Sequence, residues 1–134
     1  MKASVYHLEL NVSDPKISFP FYKDLFAYLG FRITYEDKII FGASNGELSF
    51  WIKKTEDKYK KNIYHRKNPG LNHLAFKVES QEDVDKFYKE FLVPRKTPIL
   101  YNSPKKFPEY SGDYYAVYFE DPDRIKLEVV YNKD

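Results

Sequence analysis

The chain has 134 residues, of which 43% are hydrophobic, enough to bury the core of one domain and too many for a disordered chain. Its 22 basic and 20 acidic residues leave a net charge of +2, which does not indicate a nucleic-acid partner. The absence of cysteine excludes disulfides and thiolate metal sites, and no apolar run reaches membrane-spanning length, so we expect a cytoplasmic protein with no membrane contact.

The first half of the chain predicts one strand, one helix and three further strands. Residues 4–12 alternate apolar and polar side chains, as a half-buried strand does. Ser13-Asp14-Pro15 predicts a helix start, and Gly30 predicts its end. Three strands are predicted near 31–36, 38–42 and 47–53, with a tight turn at Asn45-Gly46 before the last.

The second half predicts the same order of elements. A strand over 71–78 is followed by a helix over about 80–92, and the later strands are predicted near 97–101, 113–120 and 124–131. Residues 102–112 are predicted to form a long loop, and loops of that length in a small domain are often functional. We therefore expect one domain with a first module at about 1–54, a polar linker at about 55–69 and a second module at about 70–134.

An internal repeat connects the two halves. With an offset of 66 residues and no gap, the segment from His7 to Val12 lies over the segment from His73 to Val78, and Phe21-Tyr22-Lys23 lies over Phe87-Tyr88-Lys89. The strand and the helix stay in phase, which argues against two unrelated strand–helix units. The sequence thus predicts an α+β fold built from two copies of one module.

Strand alternation places three residues that could bind a metal on equivalent faces of their strands. His7 lies opposite Leu8 on its strand, His73 opposite Leu74, and Glu128 opposite Leu127. If the helices cover the leucine faces, the two imidazoles and the carboxylate point to the uncovered side, where they could bind a divalent metal. The alternative is that each histidine is an ordinary strand residue with a local hydrogen bond.

These segments resemble the vicinal oxygen chelate superfamily, which includes glyoxalase I, bleomycin resistance proteins and extradiol dioxygenases. The resemblance covers nearly the whole chain. It is carried by the stretch from His7 to Asp14, by Asn72-His73-Leu74-Ala75-Phe76, and by Phe119-Glu120-Asp121-Pro122-Asp123 followed by Leu127-Glu128. It implies two βαβββ modules forming an incomplete barrel around a central cavity, in a homodimer or within one chain.

The resemblance also implies a metal site with ligands from the first and last strands of each module. His7, His73 and Glu128 match three of four positions, and they would hold Zn, Ni, Fe or Mn. The fourth position falls on Ser49 by parity or on Phe50 by a gapless overlay, and neither is a carboxylate. This puts glyoxalase I activity in doubt.

Two interpretations of the missing carboxylate stay open. Water could complete a three-ligand site, as in the oxygenase branch, or Glu9 could supply the acid–base group. Glu9 could instead pair with a lysine such as Lys77 or Lys126. Arg124 stands where the family turn has a glycine, and we expect a turn type without positive φ there.

Aromatic residues indicate an apolar or aromatic substrate. Trp51 shares parity with Ser49, and Tyr114, Ala116 and Tyr118 share a face, while Tyr110 could cover the mouth of the cavity. Core packing is the alternative for each.

The leading functional hypothesis is a metal-dependent enzyme, of lyase, isomerase or dioxygenase type, acting on a small oxygenated molecule that chelates the metal. His7, His73 and Glu128 would be the ligands and Glu9 the acid or base. The alternatives are a metal-free, drug-sequestering binding protein and a non-catalytic dimeric interaction module.

Overall fold

The structure, a computed structural model, describes residues 1–133 of the chain. They form two compact units, one from Met1 to Ile63 and one from Tyr64 onward. Each unit contains one βαβββ module with a four-stranded mixed sheet. The predicted α+β fold class with two βαβββ modules is therefore confirmed. Among the described helices, none is long and apolar enough to cross a membrane.

The first unit contains β1 (His7–Val12), α1 (Pro15–Tyr28), β2 (Arg32–Glu36), β3 (Ile40–Ser44) and β4 (Ser49–Lys54), followed by a 3-10 turn at Asp57–Tyr59. The strand order is β1-β4-β3-β2, and β1 is parallel to β4. The β3 strand begins two residues later than predicted because Asp37 holds a turn before it. The Asp37 carboxylate accepts hydrogen bonds from the backbone N–H groups of Ile39 and Ile40.

The second unit contains β5 (Leu74–Lys77), α2 (Gln81–Phe87), β6 (Ile99–Lys106), β7 (Tyr115–Glu120) and β8 (Lys126–Tyr131). The strand order is β5-β8-β7-β6, and β5 is parallel to β8. A π-helical segment, Tyr88–Leu92, continues α2 and completes the predicted helix. His73 lies just before β5 rather than inside it.

The helices begin where polar side chains replace missing backbone partners. The Asp14 side chain accepts a hydrogen bond from the Lys16 N–H, and the Ser80 side chain accepts one from the Asp83 N–H. The first helix ends as predicted before Gly30, whose φ of 84° is favourable for a residue without a side chain.

Each helix covers one face of its own sheet. In the first unit, Phe26 of α1 stacks on Phe50 of β4 with ring centroids 5.0 Å apart. In the second, Phe87 of α2 packs on Phe119 of β7 at 5.4 Å. These aromatic residues are almost fully buried, so burial of apolar area drives the packing of both modules. Side chains of the opposite parity, including Trp51 and Glu128, lie on the face away from the helix.

The strand registers correct the predicted place of the fourth ligand. Glu9 pairs with Trp51 across β1 and β4, and Ala75 pairs with Glu128 across β5 and β8. Because the repeat places Glu9 over Ala75, Trp51 is the residue equivalent to Glu128. The predicted positions, Ser49 and Phe50, were wrong because the two modules differ in length between these strands.

The β6 strand is longer than predicted and enters the segment assigned to a loop. It is the edge strand of its sheet, where proline is tolerated, so Pro104 does not end it. A bulge interrupts its pairing with β7 between Leu100 and Lys105. Within the bulge, the buried Ser103 hydroxyl accepts a hydrogen bond from the Tyr118 N–H at 2.9 Å and donates one to the Leu100 carbonyl at 2.8 Å.

The turn before β8 also differs from the prediction. Arg124 has a φ of 65°, so it occupies the left-handed region that we expected this turn to avoid. The Asp121 side chain accepts hydrogen bonds from the N–H groups of Asp123 and Ile125, and these bonds fix the turn. Arg124 also donates from Nε to the Glu120 carboxylate at 3.1 Å.

Candidate functional site

Glu128 is a fully buried carboxylate on β8. The Tyr114 hydroxyl donates a hydrogen bond to Glu128 Oε1 at 2.5 Å. The other oxygen, Oε2, lies 3.1 Å from His73 Nε2, but the approach lacks hydrogen-bond geometry. Among the described residues, Oε2 therefore has no hydrogen-bond partner although it is buried. An orphaned carboxylate oxygen of this kind is costly unless a cation neutralises it.

The His73 ring is oriented by Asn72. His73 Nδ1 lies 2.7 Å from Asn72 Oδ1, and the Asn72 amide nitrogen donates to the Arg66 carbonyl at 3.3 Å. Because that second bond fixes the amide, Oδ1 is the acceptor and Nδ1 carries the proton. In the neutral imidazole, Nε2 then presents its lone pair toward Glu128.

Two electron-pair donors, His73 Nε2 and Glu128 Oε2, thus stand 3.1 Å apart. Two ligands of one ion, each at about 2.0–2.2 Å from it, readily have this separation. The Asn72 contact is the kind that orients metal-bound histidines. These two residues fit a divalent metal.

Two tyrosines surround the carboxylate. Burial, followed by the hydrogen bond to Glu128, raises the pKa of Tyr114 to about 12. Burial and the nearby Glu128 charge also raise the pKa of Tyr118 far above its usual value. Both phenols therefore stay neutral at physiological pH, and Tyr114 remains a donor to Glu128.

An aromatic cluster occupies the same face of this sheet. Its buried members are Phe107, Ala116, Tyr118 and Val130, with Leu100 and Tyr114 packed against them. Tyr110 stacks on Phe107 with centroids 6.0 Å apart, while 63% of its surface stays exposed. Tyr118 and Ala116 thus have the packed environment that was the alternative to a pocket role. Tyr110 and Tyr114 lie at the margin of the cluster.

Lys126 and Tyr101 are two further residues of this face that the sequence did not single out as site residues. The Lys126 ammonium lies 4.8 Å from the Tyr101 ring centroid and 4.7 Å from that of Tyr118. Parity on β8 places Lys126 on the same face as Glu128, and the sequence suggested it only as an ion-pair partner of Glu9. Nothing in the sequence could have placed Tyr101, because its position depends on the β6 bulge.

The remaining predicted residues lie in the first unit. His7 begins β1 and is exposed, with its ring edge against Tyr6. Within the first unit, Glu9 Oε1 lies 4.0 Å from Lys53 Nζ. In residues 1–133, no group of three or more histidine, cysteine or acidic side chains is arranged as a metal site.

Trp51 lies on Gly42 of the neighbouring strand. A Cβ atom at Gly42 would stand 2.8–3.0 Å from three atoms of the indole ring, which explains why this position carries no side chain. The Tyr35 ring lies 6.2 Å from that of Trp51. Where the repeat predicts a carboxylate, the first unit thus presents an aromatic surface. Ser49, two residues earlier, pairs with His7.

Two βαβββ modules, with His7 beginning the first strand of one module, His73 directly before that of the other, and Glu128 on the last strand, define a protein of the vicinal oxygen chelate class. The model of the Glyoxalase/Bleomycin resistance protein/Dioxygenase superfamily matches residues 4–129, and the chain belongs to that superfamily. Members of this superfamily often bind divalent metals, and it includes metal-dependent enzymes.

Three relatives illustrate the similarity. The chain is 38% identical to the uncharacterized protein YqjT of Bacillus subtilis over 94% of this chain and 97% of YqjT. It is 28% identical to the metallothiol transferase FosB of Staphylococcus epidermidis over 94% of this chain and 80% of FosB. A crystal structure of a candidate glyoxalase from Bacillus halodurans superposes with a TM-score of 0.87 at 35% identity, covering 96% and 95% of the two chains.

Proposed function

We propose that the protein is a metal-dependent enzyme acting on a small molecule that chelates the metal through adjacent oxygens. The observation that supports this most directly is the buried Glu128 Oε2, which lacks a hydrogen bond and lies 3.1 Å from an imidazole nitrogen of fixed tautomer. A divalent cation would satisfy both atoms.

We propose His7 as the third protein ligand, on the basis of the repeat and of the family resemblance. With Trp51 at the fourth position, three protein ligands leave coordination positions open to water and substrate. Imidazole and carboxylate ligands suit Zn, Ni, Fe or Mn. When bound, the metal would act as a Lewis acid toward the substrate oxygens.

The other residues would serve this site in distinct ways. Tyr114 holds Glu128 by its hydrogen bond, and Asn72 holds the His73 ring. Glu9 is the proposed acid or base, and its carboxylate would accept a proton from the substrate carbon beside a carbonyl group and return it to the product. The reaction would be of lyase, isomerase or dioxygenase type. The similarity to FosB adds thiol transfer to the reactions to be assayed.

A metal-free binding protein, working as a homodimer in the cytoplasm, is the second candidate function. The observation that favours it is the aromatic surface of the second unit, where Tyr101 and Tyr110 are 47% and 63% exposed. Such a surface would bind an apolar or aromatic small molecule without metal.

Metal content separates the two functions. The protein, purified without a histidine tag, is dialysed against Zn, Ni, Mn or Fe and analysed by elemental mass spectrometry. We expect about one ion per chain in the wild type and less than about a tenth of that in His73→Ala. Glu128→Gln should lose metal similarly, because it removes the anionic ligand.

The third histidine gives a matched control. His65 is exposed and its Nδ1 accepts a hydrogen bond from the Lys67 N–H, so His65→Ala should leave the metal content unchanged. A wild-type protein that binds none of the four metals would rule out the enzyme and favour the binding protein.

A further inference from the structure

Lys126 has an unusual environment for a lysine beside a buried carboxylate. Its ammonium lies against the faces of two tyrosine rings, at 4.8 Å and 4.7 Å from their centroids. Among the described residues, no carboxylate lies within ion-pair distance of it. The cation is thus held by cation–π contacts. Glu120 pairs with Lys126 across β7 and β8, but its carboxylate contacts Arg66 and Arg124 instead.

The Tyr101 ring, one of the two rings beside Lys126, is positioned by a segment of strained backbone. Tyr101 and Asn102 have φ values of 63° and 52°, in the left-handed region that residues with side chains seldom adopt. The Ser103 hydroxyl holds the bulge by its two hydrogen bonds to Tyr118 N–H and the Leu100 carbonyl. Bulges of this kind re-aim side chains next to active sites. Here the bulge places the Tyr101 ring 5.3 Å from the Tyr118 ring.

Lys126 lies next to the proposed metal ligands of the second unit. It shares the face of β8 that carries Glu128, two residues away, or about 7 Å along the strand. Leu74 of β5 pairs with Leu127 of β8. His73 and Lys126 are the residues directly before this pair, so they occupy matching positions on the two chain segments. A cation without an ion-pair partner among the described residues therefore stands level with His73 and two residues from Glu128.

We propose that Lys126, flanked by Tyr101 and Tyr118, is an oxyanion subsite that binds a carboxylate, phosphate or phosphonate group of the substrate. The three N–H donors of the ammonium suit such a group, and the rings fix the lysine so that little freedom is lost on binding. The inference rests on the proposed function only in assigning this group to the substrate. The subsite itself uses residues of the second unit and needs no metal.

Calorimetric titration of the metal-free protein with inorganic phosphate, and separately with acetate, tests the subsite at low ionic strength. We expect Lys126→Met to weaken phosphate binding by about tenfold or more, as the loss of a charge-assisted hydrogen bond does. Lys126→Arg should stay within about threefold of the wild type, because it keeps the charge. Stronger binding of phosphate than of acetate would identify a phosphate or phosphonate group, and the reverse a carboxylate.

Lys106→Met is the control, since Lys106 is an exposed lysine on β6 and removes the same charge. Equal phosphate affinity in the wild type and Lys126→Met, equal losses in Lys126→Met and Lys106→Met, or no binding of either anion by the wild type would each overturn the proposal. The metal analysis is independent of these titrations. Metal loading with no effect of Lys126→Met refutes the subsite alone, whereas Lys126-dependent phosphate binding without metal loading refutes the enzyme alone.

Discussion

The residue type at position 124 does not indicate the backbone conformation that its turn requires. The family turn has a glycine at this position, and Arg124 adopts the positive φ that a glycine would adopt freely. Its bond to Glu120, a carboxylate that also lies 3.6 Å from the Arg66 guanidinium, offsets part of that cost. The sequence showed the substitution, but it did not show that the Asp121 hydrogen bonds would enforce the same turn.

A comparison of two variants measures this backbone cost. Both Arg124→Gly and Arg124→Ala lose the bond to Glu120, but only alanine keeps a Cβ at a φ of 65°. We therefore expect Arg124→Gly to be more stable than Arg124→Ala by about 1 kcal/mol, measured by urea denaturation. At Lys106, which lies in a strand, the glycine variant should be the less stable one. The same order at both positions would contradict the argument.

Single residues of the site could be predicted where the residue type suits a metal ligand and strand alternation sets the face of its side chain. The sequence brought His73 and Glu128 to one face because the alternation of the predicted strands is clear, and although His73 lies just before β5, the two side chains are 3.1 Å apart. It missed Asn72 as the residue that orients His73, because a hydrogen bond between adjacent residues depends on side-chain rotamers. The metal-binding roles of His7, His73 and Glu128 and the role of Glu9 stay predictions.

At the scale of elements, hydrophobic periodicity located the helices and most strands. It failed at β6, where the polar residues and Pro104 are typical of a loop. An edge strand has one unpaired side and tolerates both features, and the Ser103 side chain replaces part of the backbone pairing. When a side chain replaces a backbone hydrogen-bond partner between strands, the sequence shows no periodic pattern that would reveal it.

The contact between β7 and α2 has a predictable dependence on pH. The Tyr115 hydroxyl donates a hydrogen bond to Asp85 Oδ1 at 2.7 Å. Burial, followed by this bond and the Asp85 charge, raises the pKa of Tyr115 from 10.0 to about 12. Because the pKa is raised in the folded state, the stabilisation is fully present below pH 10 and is lost as the pH rises from 10 to 12.

We therefore expect Tyr115→Phe to lower the free energy of unfolding by about 1–2 kcal/mol at neutral pH. The difference from the wild type should shrink between pH 10 and 12, as followed by urea denaturation at each pH. Tyr59→Phe, at a half-exposed position in the 3-10 turn, should show little difference at any pH. A Tyr115→Phe deficit that stays constant up to pH 12 would show that the hydroxyl does not titrate with this contact.

At the scale of the whole molecule, the internal repeat was enough to predict most of the fold. An offset that aligned both the first strands and the helices required two modules of one kind, and the structure contains them. The alignment could not be extended to the last strands, because the second module is longer before β8. That difference moved the equivalent of Glu128 from the predicted Ser49 or Phe50 to Trp51.

The position of Trp51 has a consequence for how the molecule can be observed. It is the only tryptophan in the chain, and it belongs to the first unit, with its indole against Gly42 and close to Tyr35. Its fluorescence emission therefore reports on the surroundings of a residue of the first unit, whereas far-ultraviolet circular dichroism reports on both units. Coincident unfolding curves from the two signals would show one cooperative transition, and separated curves would show that the duplicated modules melt independently. The residue that replaced a carboxylate thus supplies a label-free probe of one half of the repeat.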